Sequence, residues 1–172
     1  MPKYYVALVD LGNNQMRVPV KAALNPYNHR PAYCAGMPQF FGGTDDNDQP
    51  PAVVMEAELT QESRRTLELT SGSPHSLIHS GAMFFYYALE GQWVVTGTPW
   101  GPAANPSEQE MDRLVTVDLT RFNTGMDDQA IIDELVRQTG SNLQTNGGAD
   151  FNQSATRPAF IALIRGYLAG TL

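Results

Sequence analysis

Two glutamates and one glutamine near residue 60 have the types and spacing of a small oxygen-ligand cluster. Glu58 and Glu62 are four residues apart, and Gln61 precedes Glu62. On a helix, residues at this spacing share one face with their Cβ atoms about 6 Å apart, so the two carboxylates repel each other. A divalent cation between them, Mg²⁺ or Mn²⁺, makes the pair favourable because these ions prefer oxygen ligands. The spacing therefore predicts a cation site to which Gln61 adds a carbonyl oxygen. The alternative is a surface helix with hydrated charges.

This chemistry requires a helix, and the sequence predicts one from Ala52 to Leu67. A polar loop precedes it, and Pro50 and Pro51 stand where a helix begins. The other predicted elements are strands at 4–10 and 15–20 joined by a turn, a long strand at 75–89 with a partner at 92–97, a strand at 114–119, a helix capped by Thr124 and Asp127 and closed by Gly140, and a last helix capped by Thr156. This order predicts an α/β fold with a mixed, partly antiparallel sheet, because short turns cannot connect parallel strands. Glycine-containing breaks are expected at 71–74 and 141–153.

The segment Gly43–Arg65 resembles the Nudix box, the pattern G-x5-E-x7-R-E-U-x-E-E-x-G-U in which U is bulky and apolar. Four fixed positions match without a gap, namely Gly43, Glu58, Leu59 and Glu62. The five departures are Gln49, Ala57, Gln61, Arg64 and Arg65. Since Arg64 replaces a glycine near the end of the family's helix, we expect the helix of this chain to continue past that position.

The resemblance implies a Nudix-type α/β/α sandwich that forms one domain over residues 1–172. It implies that Glu58, Gln61 and Glu62 hold Mg²⁺ or Mn²⁺ together with the backbone near Gly43. A glutamate from a later loop often assists in the family, and Glu108 or Glu110 stands where that general base is expected. Arg17, Lys21 and Arg30 occupy the early hairpin and loop in which family members often grip phosphate.

Three functions remain open at this point. The first is a Nudix-type hydrolase that cleaves a nucleoside diphosphate linked to another group, X. The second is a Nudix-fold protein without hydrolysis that binds a nucleotide-like ligand or a protein partner, because Ala57 and Gln61 remove charged groups from the box. The third is an unrelated α/β domain, since one fold hosts many functions.

Composition limits the partners. The net charge of −7 disfavours a nucleic-acid backbone, which needs a positive surface, but it is compatible with a small phosphorylated ligand bound through a cation. No apolar run reaches the ~20 residues that cross a bilayer, and residues 1–5 lack the features of a signal peptide. Cys34 is the only cysteine, so no intrachain disulfide forms. We expect a cytoplasmic protein, and a homodimer is an expectation from the family.

Overall fold

The computed structural model describes residues 1–70, 73–97, 100–143 and 150–172. The strands are β1 (Lys3–Asp10), β2 (Gln15–Lys21), β3 (Phe41–Thr44), β4 (Leu67–Leu69), β5 (His75–Ser80), β6 (Met83–Ala88), β7 (Trp93–Val95) and β8 (Met111–Asp118). The α-helices are α1 (Pro51–Glu62), α2 (Asp128–Thr139) and α3 (Thr156–Ala169). None of these helices combines the length and the apolar character that a membrane-spanning segment needs.

The main sheet has six strands and is mixed. Its order is β5-β6-β1-β2-β8, with β3 also paired to β1, and the two short strands β4 and β7 form a second sheet. β1 and β6 run parallel, whereas the other strand pairs are antiparallel. The predicted α/β fold class with a mixed sheet is confirmed.

β1 changes its partner halfway along its length, and this change opens the sheet. Leu8–Asp10 pairs with the start of β2, whereas Lys3–Val6 pairs with β3. The carbonyl of Pro19 in β2 accepts a hydrogen bond from the Gln39 N–H at 2.9 Å. The N–H and the carbonyl of a strand residue point to the same edge, and proline has no N–H, so β2 lacks one hydrogen-bond donor on this edge. β2 therefore cannot continue a full ladder with β1. The segment before β3 bonds to this edge of β2 instead of β1, and β3 continues along β1. β2 and β3 therefore lie on opposite sides of a cleft.

Helices cover both faces of the sheet because side chains of a strand alternate between its faces. Val6 and Leu8 of β1 pack with Met55 and Leu59 of α1 on one face. Ala7 and Val9 face the opposite way and belong to the larger core formed with α2 and α3. The arrangement is a helix, a sheet and a pair of helices, in which α1 lies against β1 and β3 at the cleft.

The end of α1 differs from the prediction. The helix ends at Glu62 and not at Leu67, because Arg64 and Arg65 have φ values of 55° and 63°. An α-helix of L-residues cannot continue through this left-handed conformation. The expectation that Arg64 prolongs the helix is therefore wrong.

Three other local predictions also need correction. The predicted long strand at 75–89 is a hairpin of β5 and β6 that turns at Gly81, a glycine with φ of 57°. β7, within the predicted partner segment 92–97, pairs with β4 instead. Thr156 is the first residue of α3 and not its cap, and Ala155 at the cap position provides no side-chain hydrogen bond. The predicted breaks at residues 71–72 and at Gly147–Gly148 lie outside the described residues.

Candidate functional site

The opening between β2 and β3 forms a cavity of about 360 Å³. α1 lies beside it, and the segment before β8 closes another side. The lining residues are Tyr5, Lys21, Gln39, Phe40, Gly42, Gly43, Thr44, Asp46, Glu58, Glu62, Glu110 and Met111. We call this cavity the acidic cleft, because four carboxylates line it.

Glu62 is the innermost of these carboxylates. It follows Met55 and Leu59 on the buried face of α1 at spacings of four and three residues, so the helix turns it inward. Its side chain is 2% exposed, and its Oε1 accepts a hydrogen bond from the Gly42 N–H at 2.7 Å. Burial, followed by the charge of Glu58, raises the pKa of Glu62 well above its ordinary value. An ionised Glu62 therefore needs a compensating positive charge in the cleft.

Glu58 lies one turn earlier on α1 and directly above Gly43. A Cβ atom at Gly43 would lie 2.7 Å from both Cδ and Oε1 of Glu58, so only glycine leaves room for this carboxylate. Burial, followed by the charges of Glu110 and Asp46, raises the pKa of Glu58 to about 7, and Lys21 opposes the shift. The two glutamates of α1 thus share a site in which negative charge exceeds positive charge.

Glu110 reaches the cleft from a segment that two arginines hold in place. Arg64 Nε donates to the Glu108 carbonyl at 3.0 Å and Nη2 donates to the Met111 carbonyl at 3.2 Å, so it bonds the backbone on both sides of Glu110. The Arg64 guanidinium also lies over the Trp100 ring, 4.4 Å from its centroid. The left-handed end of α1 directs this side chain across the segment.

Glu108 itself is engaged elsewhere. Its Oε1 forms an ion pair with Arg65 Nε at 3.0 Å, and its Oε2 accepts a hydrogen bond from the Ala104 N–H at 2.7 Å. The side chain is 3% exposed and is not part of the acidic cleft. Both oxygens have partners, so Glu108 organises the loop and Glu110 is the glutamate that faces the cleft.

The structure brings together five of the residues singled out from the sequence, namely Gly43, Glu58, Glu62, Glu110 and Lys21. It places the other four outside the lining of the cleft. Glu108 is the buried loop residue described above, and Gln61 does not line the cavity although it precedes Glu62. The Arg17 guanidinium lies over the Trp93 ring at 5.7 Å, beside a separate cavity of about 170 Å³. Arg30 is exposed in the loop after β2.

Tyr5, Gln39 and Thr44 were not singled out from the sequence, and Asp46 lies in the polar loop expected before the helix. Tyr5 lines the cleft with the two α1 carboxylates, and burial followed by the charges of Glu62 and Glu58 raises its pKa to about 12. The types and spacing of Tyr5, Gln39 and Thr44 carry no signal for the site. They reach it through the pairing of β1 with β3, which only the three-dimensional fold specifies.

The donor set suits an oxygen-preferring cation only in part. The cleft offers carboxylates and carbonyl groups, which match the ligands of Mg²⁺ and Mn²⁺. However, no three His, Cys, Asp or Glu side chains within the described parts of the chain are close enough together to hold a metal ion. Glu58 and Glu62 therefore fit as two protein ligands, and water or substrate oxygens would complete the shell.

Comparisons with known proteins do not assign a family. No family model matches the sequence, and no curated protein matches it. Among solved structures, the solution structure of the E. coli ORF135 protein aligns with 97% of this chain and 91% of its own, at 17% sequence identity and a TM-score of 0.46. A sequence identity and a TM-score this low assign neither a family nor an activity to this chain.

Proposed function

We propose that this protein is a divergent Nudix-type hydrolase that cleaves a nucleoside diphosphate linked to another group, X, with Mg²⁺ or Mn²⁺. One observation carries the proposal. Glu58 and Glu62 lie one helical turn apart and converge in a partly buried cleft beside Gly42 and Gly43, within the segment that resembles the Nudix box.

Five residues of the cleft have separate parts in the proposed reaction. Glu58 and Glu62 would hold the cation, and the Gly42 N–H, which donates to Glu62 Oε1, fixes the orientation of that carboxylate. The bound cation would offset phosphate charge and lower the pKa of a water molecule. Glu110 would accept a proton from the attacking water as its oxygen bonds to phosphorus and the bridging P–O bond breaks, because Glu110 faces the cleft while Glu108 is held by Arg65. Lys21 lines the cleft and would donate a hydrogen bond to a phosphate oxygen of the substrate.

A specific observation favours a second candidate, a protein that binds a nucleotide-like ligand without hydrolysing it. The box carries Ala57 and Gln61 in place of charged residues, and Gln61 does not line the cleft. Two carboxylate ligands hold Mg²⁺ less tightly than three, because each lost anionic oxygen weakens the site. Such a site would bind a phosphorylated ligand yet activate water poorly.

The test is a screen for diphosphate cleavage with Mn²⁺ over nucleotide sugars, dinucleoside polyphosphates and NAD-type compounds. The hydrolase proposal expects at least one substrate to release a nucleoside monophosphate. Glu62→Gln should lower that rate by about 100-fold or more, since it removes an anionic ligand. Glu56→Gln is the matched control, because Glu56 lies on the same helix but is exposed outside the cleft. Absence of product from every compound rejects the hydrolase, and nucleotide binding without product supports the second candidate.

A further inference from the structure

A second cavity, of about 390 Å³, adjoins the acidic cleft and shares Tyr5, Lys21 and Gln39 with it. We call it the lysine cavity. Its remaining lining residues are Lys3, Tyr33, Cys34, Met83, Ser154, Ala155 and Thr156. Both volumes lie within the ~300–1,000 Å³ typical of small-molecule sites, and the three shared residues place the two cavities side by side.

The charge of this cavity is opposite to that of its neighbour. The chain has two lysines, and both Lys3 and Lys21 line the lysine cavity. Neither forms an ion pair with a carboxylate among the described residues. In a protein with a net charge of −7, this local excess of positive charge favours an anion.

The start of α3 adds neutral donors at the same place. Ser154, Ala155 and Thr156 line the cavity where this helix begins. No side chain caps the helix, and its first turn contains no acidic residue. The first N–H groups of a helix lack intrahelical partners, and the helix dipole favours negative charge near them.

Thr156 provides an independent observation. Thr156 lines the cavity although the residue is only 8% exposed. Its hydroxyl makes no hydrogen bond to any other part of the chain that the structure describes, whereas the comparably buried Thr139 hydroxyl bonds the Leu135 carbonyl at 2.8 Å. Because this hydroxyl has no hydrogen-bond partner among the described residues, it can donate to an acceptor oxygen of a ligand in the cavity.

We propose that the lysine cavity binds a phosphate monoester, held by Lys3, Lys21, the Thr156 hydroxyl and the start of α3. Two ammonium groups and a helix N-terminus suit a tetrahedral dianion better than a single carboxylate charge. Only the substrate class that follows from this binding site rests on the proposed function. If the diphosphate is cleaved in the acidic cleft, the substrate class is a nucleoside diphosphate derivative that carries an additional phosphate monoester away from the cleaved bond.

The test uses the full-length protein in EDTA, with inorganic phosphate as the probe and backbone amide NMR signals as the readout. Phosphate should shift the Thr156 and Arg157 amides in a saturable way, while acetate at equal ionic strength should do so much more weakly. Lys3→Gln and Thr156→Val should each raise the phosphate Kd by about 5- to 10-fold, the range expected for one charge-assisted or buried hydrogen bond. Arg121→Gln, which removes an exposed cation elsewhere, should leave the Kd unchanged.

Phosphate binding in EDTA can be measured independently of diphosphate cleavage. Glu62→Gln removes a proposed cation ligand but should leave phosphate binding in EDTA intact. Saturable phosphate binding without cleavage of any diphosphate would support the lysine cavity and reject hydrolysis. The inference is overturned if phosphate does not saturate, if Lys3→Gln and Thr156→Val both bind it as the unmodified protein does, or if the shifted amides belong to the acidic cleft alone.

Discussion

The metal-free protein should lose stability as the pH rises through neutrality. Burial holds the pKa of Glu58 at about 7, compared with its ordinary value of 4.5. A carboxyl group whose pKa is raised by folding binds its proton more tightly in the folded state. Its contribution to stability is therefore fully present below about pH 4.5 and is lost as the pH rises through about 7. Glu62 acts in the same direction.

The size of the effect follows from the Glu58 pKa. A difference of about 2.5 pH units corresponds to about 3.4 kcal/mol at ~1.36 kcal/mol per unit. Glu58 is partly exposed, and solvent screening reduces this figure to about 2 kcal/mol. For a domain of this length, about 2 kcal/mol lowers the melting temperature by roughly 4–8 °C. We expect that decrease between pH 5 and pH 8.

The assay is thermal unfolding followed by circular dichroism in EDTA at pH 5 and pH 8. The Glu58→Gln variant has no ionisable group at this position. Its melting temperature should therefore fall between pH 5 and pH 8 by several degrees less than that of the unmodified protein. Glu56→Gln should behave as the unmodified protein, and Mn²⁺ at pH 8 should restore much of the lost stability. An unmodified protein whose melting temperature stays constant or rises, or a Glu58→Gln variant with the same decrease, would refute this reasoning.

Three further substitutions test how the site is held. Arg64→Gly relieves a left-handed backbone strain of ~1–2 kcal/mol but removes the hydrogen bonds that flank Glu110. Mn²⁺ affinity should therefore fall several-fold in an isothermal titration. Unchanged affinity would mean that Arg64 does not position Glu110. Gly43→Ala places a Cβ 2.7 Å from the Glu58 carboxyl and should lower Mn²⁺ affinity by about 10-fold or more, with folding retained by circular dichroism. Asp127→Ala removes the α2 cap, which accepts a hydrogen bond from the Ala130 N–H at 2.8 Å; it should cost about 1 kcal/mol in urea unfolding and leave Mn²⁺ affinity unchanged.

The local features of the site could be predicted because they depend on near neighbours in the chain. Pro51 stands at the start of α1, and a spacing of four residues places Glu58 and Glu62 on adjoining turns of one helix. The same holds for Gly140, which ends α2 in the left-handed conformation. Each of these predictions uses only the periodicity and the end signals of a helix.

The remaining features depend on contacts between distant segments. Glu108 and Glu110 are equivalent in sequence, and only the ion pair with Arg65 at the end of α1 separates the loop residue from the cleft residue. Arg17 lies on the face of β2 that packs against Trp93, a consequence of strand register. The left-handed end of α1 also escaped prediction, because the contacts of Arg64 with another loop offset a conformation that arginine alone disfavours.

The most direct test of the cation site is a Mn²⁺ titration of the full-length protein followed by electron paramagnetic resonance of the free ion. We expect one Mn²⁺ site that Glu62→Gln weakens by about 10-fold or more and that Glu56→Gln leaves intact. A cation site at Glu58 and Glu62 is contradicted if the unmodified protein takes up no Mn²⁺, or if the Glu62→Gln variant takes it up with equal affinity.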